Sequence, residues 1–321
     1  MSLLSSLLMA PPADAVVEIG AEAVSAATLS GRAGQAAVDG FAIEPLPAGA
    51  VVPHLTGSNI IDRPAVIERL GTVIGRLPSR PRRVALLIPD IAARVSFVRF
   101  DQLPARAEDL DALVRWQLKK AAPFPVEGAV LTHMPAVTTA EGGFERLAVV
   151  ARQDVVRGYE SVCEELGLHP GLVDLSTFGV VNAGLASLGS GAGDWLLVHV
   201  RRAYTSLAIV RGPAVIFFRS LSADDADGLA DVVHQTAMYY QDRLAGTGFS
   251  HVLLGGSGSG PEAVDAVRRE LEAKLGATIE RVDPLRVVSF ADRIGATPDV
   301  LARLAPLAGT WLRMRTEATA A

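Results

Sequence analysis

DWLLVHVRRAYTSLAIVRGPAVIFFRSL, residues 194–221, reads as three short strands joined by two tight turns. Residues 195–200, 203–210 and 214–219 are rich in Val, Ile, Leu and Phe, and the breaks at Arg201-Arg202 and Gly212-Pro213 suit hairpins. Beyond this meander, residues 226–244 read as an amphipathic helix with Leu229, Val232, Val233, Ala237, Tyr240 and Leu244 inward. An apolar strand (251–254), a glycine loop (255–260) and a further helix (261–275) follow. A comparable order of elements runs from residue 15, so the chain reads as two related halves.

In the first half, residues 15–20, 24–29 and 35–43 make an equivalent meander, and a helix over 64–77 carries Val66, Ile67, Leu70, Val73, Ile74 and Leu77 at helical spacing. Residues 83–88 form an apolar strand fit for burial on both faces. Next come a strand over 94–100, a helix over 107–121 stopped by Pro123-Phe124-Pro125, and a hairpin over 129–137 and 145–151. This block, about 90–150, is expected to be a small α+β unit inserted in the first half, with Trp116 and Phe124 packing its core. A helix (154–166), a strand (171–175) and a helix (178–188) lead to the linker GSGAG at 189–193. The expected divisions are a flexible segment 1–12, a first half 13–190, a second half 191–297, and a helix and tail 298–321 returning to the first half.

At 321 residues, half of them apolar and a fifth charged, the chain can bury a large interior. The net charge of −5 and a pI near 5.7 speak against non-specific nucleic-acid binding, which needs clustered cations. The single cysteine, Cys163, excludes an internal disulfide or Cys-cluster metal site and fits a reducing compartment. MSLLSSLLM at 1–9 lacks the basic start of a signal peptide, and no apolar run is as long as a membrane span requires. There is no Gly-Lys pair for a Walker A loop, GGSGSG does not satisfy GxSxG, and no two histidines have metal-ligand spacing. Gly258, Gly260 and Ala263, with Glu280 further on, satisfy a loose GxGxxA pattern, but without the further βα units of a dinucleotide-binding domain.

Several stretches together resemble one family. They are VEIG (17–20), FAIEPLPAGAV (41–51), VALLIP (84–89), RFDQLP (99–104), LVRWQLKKAAPFPVE (113–127), AVVARQDVVRGYESVCEELGLHPGLVDL (148–175) and LLGGSGSG (253–260). The chain is similar to the PilM family of type IV pilus assembly, an FtsA-like branch of the actin-like ATPase superfamily. That resemblance implies an α/β fold of two lobes, each built from duplicated RNase-H-like subdomains, with a nucleotide cleft between them and a small α+β subdomain inserted in the first. It further implies a cytoplasmic adaptor, peripheral at the inner membrane, that captures the N-terminal peptide of PilN, a single-span membrane protein, and joins an inner-membrane alignment complex. The peptide is expected in the groove between the first lobe and the insertion, as an extended segment with apolar anchors.

The resemblance also assigns cleft residues, and here the sequence departs from the family pattern. The first phosphate loop has Glu18 in place of Asp and keeps Gly20; its basic position is Ser25, and Glu22 adds a second negative charge. The second phosphate loop, usually Asp-Ile-Gly, reads His199-Val200-Arg201, with Thr205 and Ser206 retained. The adenosine loop Gly255, Gly256, Ser257 and Gly258 is intact, whereas Val232 and Gln235 stand where a charged pair would reach the ribose. Histidine is not a hard-oxygen ligand for Mg²⁺, and arginine blocks the close backbone approach that glycine allows. The expected cleft therefore binds ATP and Mg weakly or not at all and does not hydrolyse ATP. The opposite reading has Arg201 and Arg202 holding phosphates in place of the metal. An active ATPase or sugar-kinase-like phosphotransferase, and a GspL-like component of type II secretion, are the rival readings on the same fold.

Overall fold

The computed structural model describes residues 13–32, 35–138, 143–189, 191–223, 228–256, 261–290 and 295–320. The expected segment 1–12, Ser190 of the linker, and Ser257, Gly258 and Gly260 lie outside the described residues.

Strands β1 (Ala15–Ile19), β2 (Ala23–Ser30) and β3 (Ala36–Pro45) form the first meander. Helix α1 (Arg63–Gly75) starts where the sequence supplies a cap: Asp62 accepts from the Ala65 amide at 3.1 Å, and Pro64 presets the backbone of the first turn. Its stripe of Val66, Leu70, Val73 and Ile74 is buried. Strand β4 (Arg83–Ile88) follows, and then the insertion: β5 (Arg94–Phe100), α2 (Ala107–Leu118), β6 (Val130–Thr138) and β7 (Phe144–Ala151). The first half closes with α3 (Gln153–Glu165), β8 (His169–Leu175) and α4 (Ser176–Leu188).

The second half repeats the order: β9 (Trp195–Val200), β10 (Tyr204–Arg211), β11 (Ala214–Ser222), α5 (Leu229–Arg243), β12 (His251–Gly255), α6 (Pro261–Leu275) and β13 (Ile279–Arg281). β14 (Val288–Phe290) and α7 (Pro298–Ala320) end the chain. The sheets run β14-β3-β2-β1-β4-β8, β11-β10-β9-β12-β13 and β5-β7-β6. In each large sheet the first three strands pair antiparallel and the next two parallel. Even the register break recurs, between Thr28 and Leu29 in one half and between Ile209 and Val210 in the other. The halves are thus one architecture used twice.

The equivalent helices α4 and α7 pack against each other, and two glycines permit the contact. A Cβ on Gly179 would lie 2.3 Å from Pro306 O, and one on Gly309 would lie 1.9 Å from Gly179 O. α7 also covers one face of the first sheet: Leu304, Leu307, Ala308, Trp311 and Leu312 share a cluster with Val16, Ala27, Leu29, Ala85 and Leu87.

The structure corrects two expectations. The second half does not run to residue 297, because β14 pairs in parallel with β3 and so belongs to the first sheet. Trp116 is not part of the insertion's core; it is 64% exposed, whereas Phe124 is buried with Val98, Val114 and Leu118. Trp116 sits two residues from both Val114 and Leu118, about 200° round the helix and on the opposite side from the buried stripe. Among the described residues no helix is long and apolar enough to cross a membrane.

Candidate functional site

The first hairpin of each half turns at an equivalent corner. Glu18 faces Ser25 across the β1–β2 ladder, and His199 faces Ser206 across β9–β10. Two residues on, the Gly20 N–H donates to Ala23 O at 3.0 Å and the Arg201 N–H to Tyr204 O at 2.8 Å. Glycine in one corner thus has arginine as its counterpart in the other.

The corners meet between the halves, and the arginine crosses the gap. Arg201 Nη2 lies 3.3 Å from Glu18 Oε1 and 3.1 Å from Glu22 Oε1. Gly20 makes the room, since a Cβ there would stand 3.1 Å from Arg201 Nη2. Arg303 of α7 is 3.9 Å from the same Glu22 oxygen. Arg201 is only 5% exposed. Burial works against its charge, but Glu18 and Glu22 raise its pKa and keep it protonated.

A second buried network adjoins the first. Asp90, in the turn after β4, accepts hydrogen bonds from the Thr177 N–H at 3.0 Å, from the Thr177 hydroxyl, and from the Ser206 hydroxyl at 2.5 Å. The carboxyl thereby sits at the N-terminus of α4, where unsatisfied amides and the helix dipole favour an anion. Burial nevertheless pushes its pKa up to about 6. Ser176 donates to Glu18 beside it. His199 Nδ1 lies 2.6 Å from Thr177 Oγ1. Because the threonine proton goes to Asp90, His199 Nδ1 must be the donor, which leaves Nε2 as an acceptor. Nε2 is buried without a hydrogen-bond partner among the described residues. Burial, with Arg201 nearby, holds the imidazole well below its usual range, so it is neutral.

Of the residues singled out from sequence, Glu18, Gly20, His199 and Arg201 come together, with Ser25 and Thr205 buried in the adjoining ladders. Gly255 and Gly256 lie behind His199. At Gly256, with φ of +93°, a Cβ would stand 2.0 Å from Val200 O, so the position requires glycine. Sequence reasoning missed Asp90, Ser176 and Thr177. The available signal was a carboxylate directly after the buried run VALLIP, and a Ser-Thr pair opening a helix. The two networks tie β1, the Asp90 turn and α4 of the first half to β9 and β10 of the second.

A second feature lies beside the insertion. β6 is an edge of the three-stranded sheet and β8 an edge of the six-stranded one. An apolar slot of about 160 Å³ separates them, lined by Val130, Thr132, Met134, Leu172, Val173 and Phe178. The ion pair of Asp174 with Arg313, at 3.1 Å, also borders it.

A family model described as "Type IV pilus assembly protein PilM" matches residues 16–224. Among solved structures, the chain is similar to one titled "PilM-PilN type IV pilus biogenesis complex", at 19% identity and a TM-score of 0.79, covering 96% of this chain and 99% of that one. Weaker similarities include the ethanolamine utilization protein EutJ of Carboxydothermus hydrogenoformans (10% identity, TM-score 0.46, 95% of this chain and 90% of that one). The cytoplasmic domain of EpsL, from the type II secretion system of Vibrio cholerae, is at the same level (10% identity, TM-score 0.46, 95% and 94%). No curated protein sequence matches. With the duplicated strand order, the structural likeness makes this an actin-like ATPase fold.

Proposed function

The chain belongs to the PilM family of type IV pilus assembly proteins, and from that premise we propose that it is a cytoplasmic scaffold docking the N-terminal peptide of a PilN-like inner-membrane protein. The observation that carries this reading is the slot between β6 and β8. Two sheet edges face each other there, so an extended segment can add backbone hydrogen bonds to one edge and place alternate apolar side chains between them. The partner holds the protein at the inner face of the membrane, within a pilus alignment complex. The test is purification of the tagged full chain from its native cells in mild detergent. Recovery of a single-span membrane protein with a short cytoplasmic N-terminus, lost in Thr132→Arg, is the expected result. If no such protein is recovered, or Thr132→Arg retains it, the docking reading fails.

The same scaffold is a pseudo-ATPase. Arg201, already neutralised by Glu18 and Glu22, stands over Gly20, where a Mg-triphosphate would need open backbone amides and hard oxygen ligands. His199 supplies a neutral nitrogen instead of a carboxylate. The residues present do not fit a Mg-nucleotide, and the scaffold function calls for no hydrolysis.

A further inference from the structure

We propose that the docked peptide continues past the slot into a second, wider chamber and ends against the second half of the molecule. This rests on the docking reading. The chamber, about 760 Å³, shares Met134, Phe178 and Arg313 with the slot as common walls. Its other walls include Ala136 of β6, Asn182 and Ala186 of α4, Pro213 of the turn between β10 and β11, and Ala214 at the start of β11.

Three observations select the occupant. First, β6 borders both spaces, with Val130, Thr132 and Met134 on the slot and Met134, Pro135 and Ala136 on the chamber. A chain laid along this edge is carried from one into the other. At about 3.3 Å per residue this stretch is roughly 20 Å long, with the slot along its first part, Val130 to Met134, and the chamber along the rest. Second, among the described residues the Asn182 Nδ2 is buried without a hydrogen-bond partner. Asn182 lines the chamber, and a rotation of its side chain would offer this amide to the backbone carbonyl of an extended peptide. Third, the wall between the two spaces reaches the second half, since the Phe178 ring packs on Phe218 of β11 with centroids 5.1 Å apart. An occupant of both spaces therefore contacts both halves, and its affinity depends on how they are set relative to each other.

The test uses the full chain and synthetic peptides taken from the N-terminus of the membrane protein recovered as above: one of about twelve residues and its two halves. The longer peptide is expected to bind about tenfold tighter than either half in fluorescence anisotropy. Ala186→Trp, at an exposed helix position, should remove that advantage while leaving one half-peptide's affinity unchanged, and Asn182→Ala should weaken only the longer peptide. Exchange of the Ala214 and Val215 amides should slow only with the longer peptide. If one half-peptide binds as tightly as the whole and Ala186→Trp changes nothing, the chamber inference is overturned while docking stands. If Ala186→Trp instead alters self-association of the chain alone, the chamber belongs to a second copy and the inference is equally wrong. Should neither peptide bind, the docking reading falls with it.

Discussion

The two corners, Glu18-Ile19-Gly20 and His199-Val200-Arg201, share one backbone and do opposite things with it. Both sit at the end of a central strand, both face a serine across the hairpin, and both close their turn with the same backbone hydrogen bond. The first corner leaves a gap by having no side chain at Gly20; the second fills it with Arg201. Duplication preserved the ladder, and the difference in side chains converted an opening into an internal ion pair. A buried ion pair is a poor source of net stability, but an unpaired buried charge is strongly destabilising, so the two corners depend on each other.

Breaking that dependence should have the largest effect. Arg201→Met leaves Glu18 buried without its cation and Glu22 with only Arg303 at 3.9 Å, and should cost about 3–5 kcal/mol in urea unfolding, with part of the loss recovered by adding Glu22→Gln. A loss below about 1 kcal/mol would mean that the arginine does not neutralise the first corner.

Next comes a pH dependence that separates the Asp90 network from the arginine. Asp90 has a raised pKa of about 6, so the folded state holds its proton more tightly than the unfolded state does. Its contribution is fully present below about pH 4 and is lost as pH rises through 6, which amounts to about 3 kcal/mol for about two units. Subtracting the profile of Asp90→Asn from that of the parent should expose this slope. His199, with its pKa lowered, runs the other way and loses its contribution as pH falls below its ordinary range.

Smaller still is the contrast between the paired serines. Ser206→Ala removes a hydrogen bond to Asp90 and should cost about 1–2 kcal/mol, while Ser25→Ala, which removes no bond to that carboxylate, should cost less. Both are read by thermal or denaturant unfolding. The last expectation is a null result: titration of the chain with Mg-ATP should produce no binding heat. A dissociation constant tighter than about 100 μM would show that the second corner opens for a nucleotide after all.

The meanders were legible because runs of Val, Ile, Leu and Phe broken by turn residues leave few alternatives, and α1, α3 and α5 announced themselves by apolar spacing. β13 and β14, at three residues each, are too short to carry a period, which is why the return of the chain to the first sheet at Val288 went unseen. Trp116 was placed inside on bulk alone, although its angular position already set it opposite Val114 and Leu118. The cleft was readable only in part. Resemblance proposed which positions correspond to phosphate loops, and the chemistry of Glu18, His199 and Arg201 set them apart from that pattern. That Arg201 would meet Glu22 is a tertiary fact between residues far apart in sequence, with no local signal. Asp90 stayed hidden for the same reason, since its three donors come from α4 and β10.

The return of β14 and α7 to the first half also bears on how the molecule is made. During synthesis the first sheet emerges with Val16, Leu29 and Leu87 facing outward and uncovered, because the helix that shelters them contains Leu304, Leu307 and Trp311. The ribosome must complete the entire second half before that face is sealed. The nascent chain therefore carries an open apolar surface for most of its elongation, and a stop codon anywhere before α7 leaves that surface permanently bare for chaperones and proteases to find.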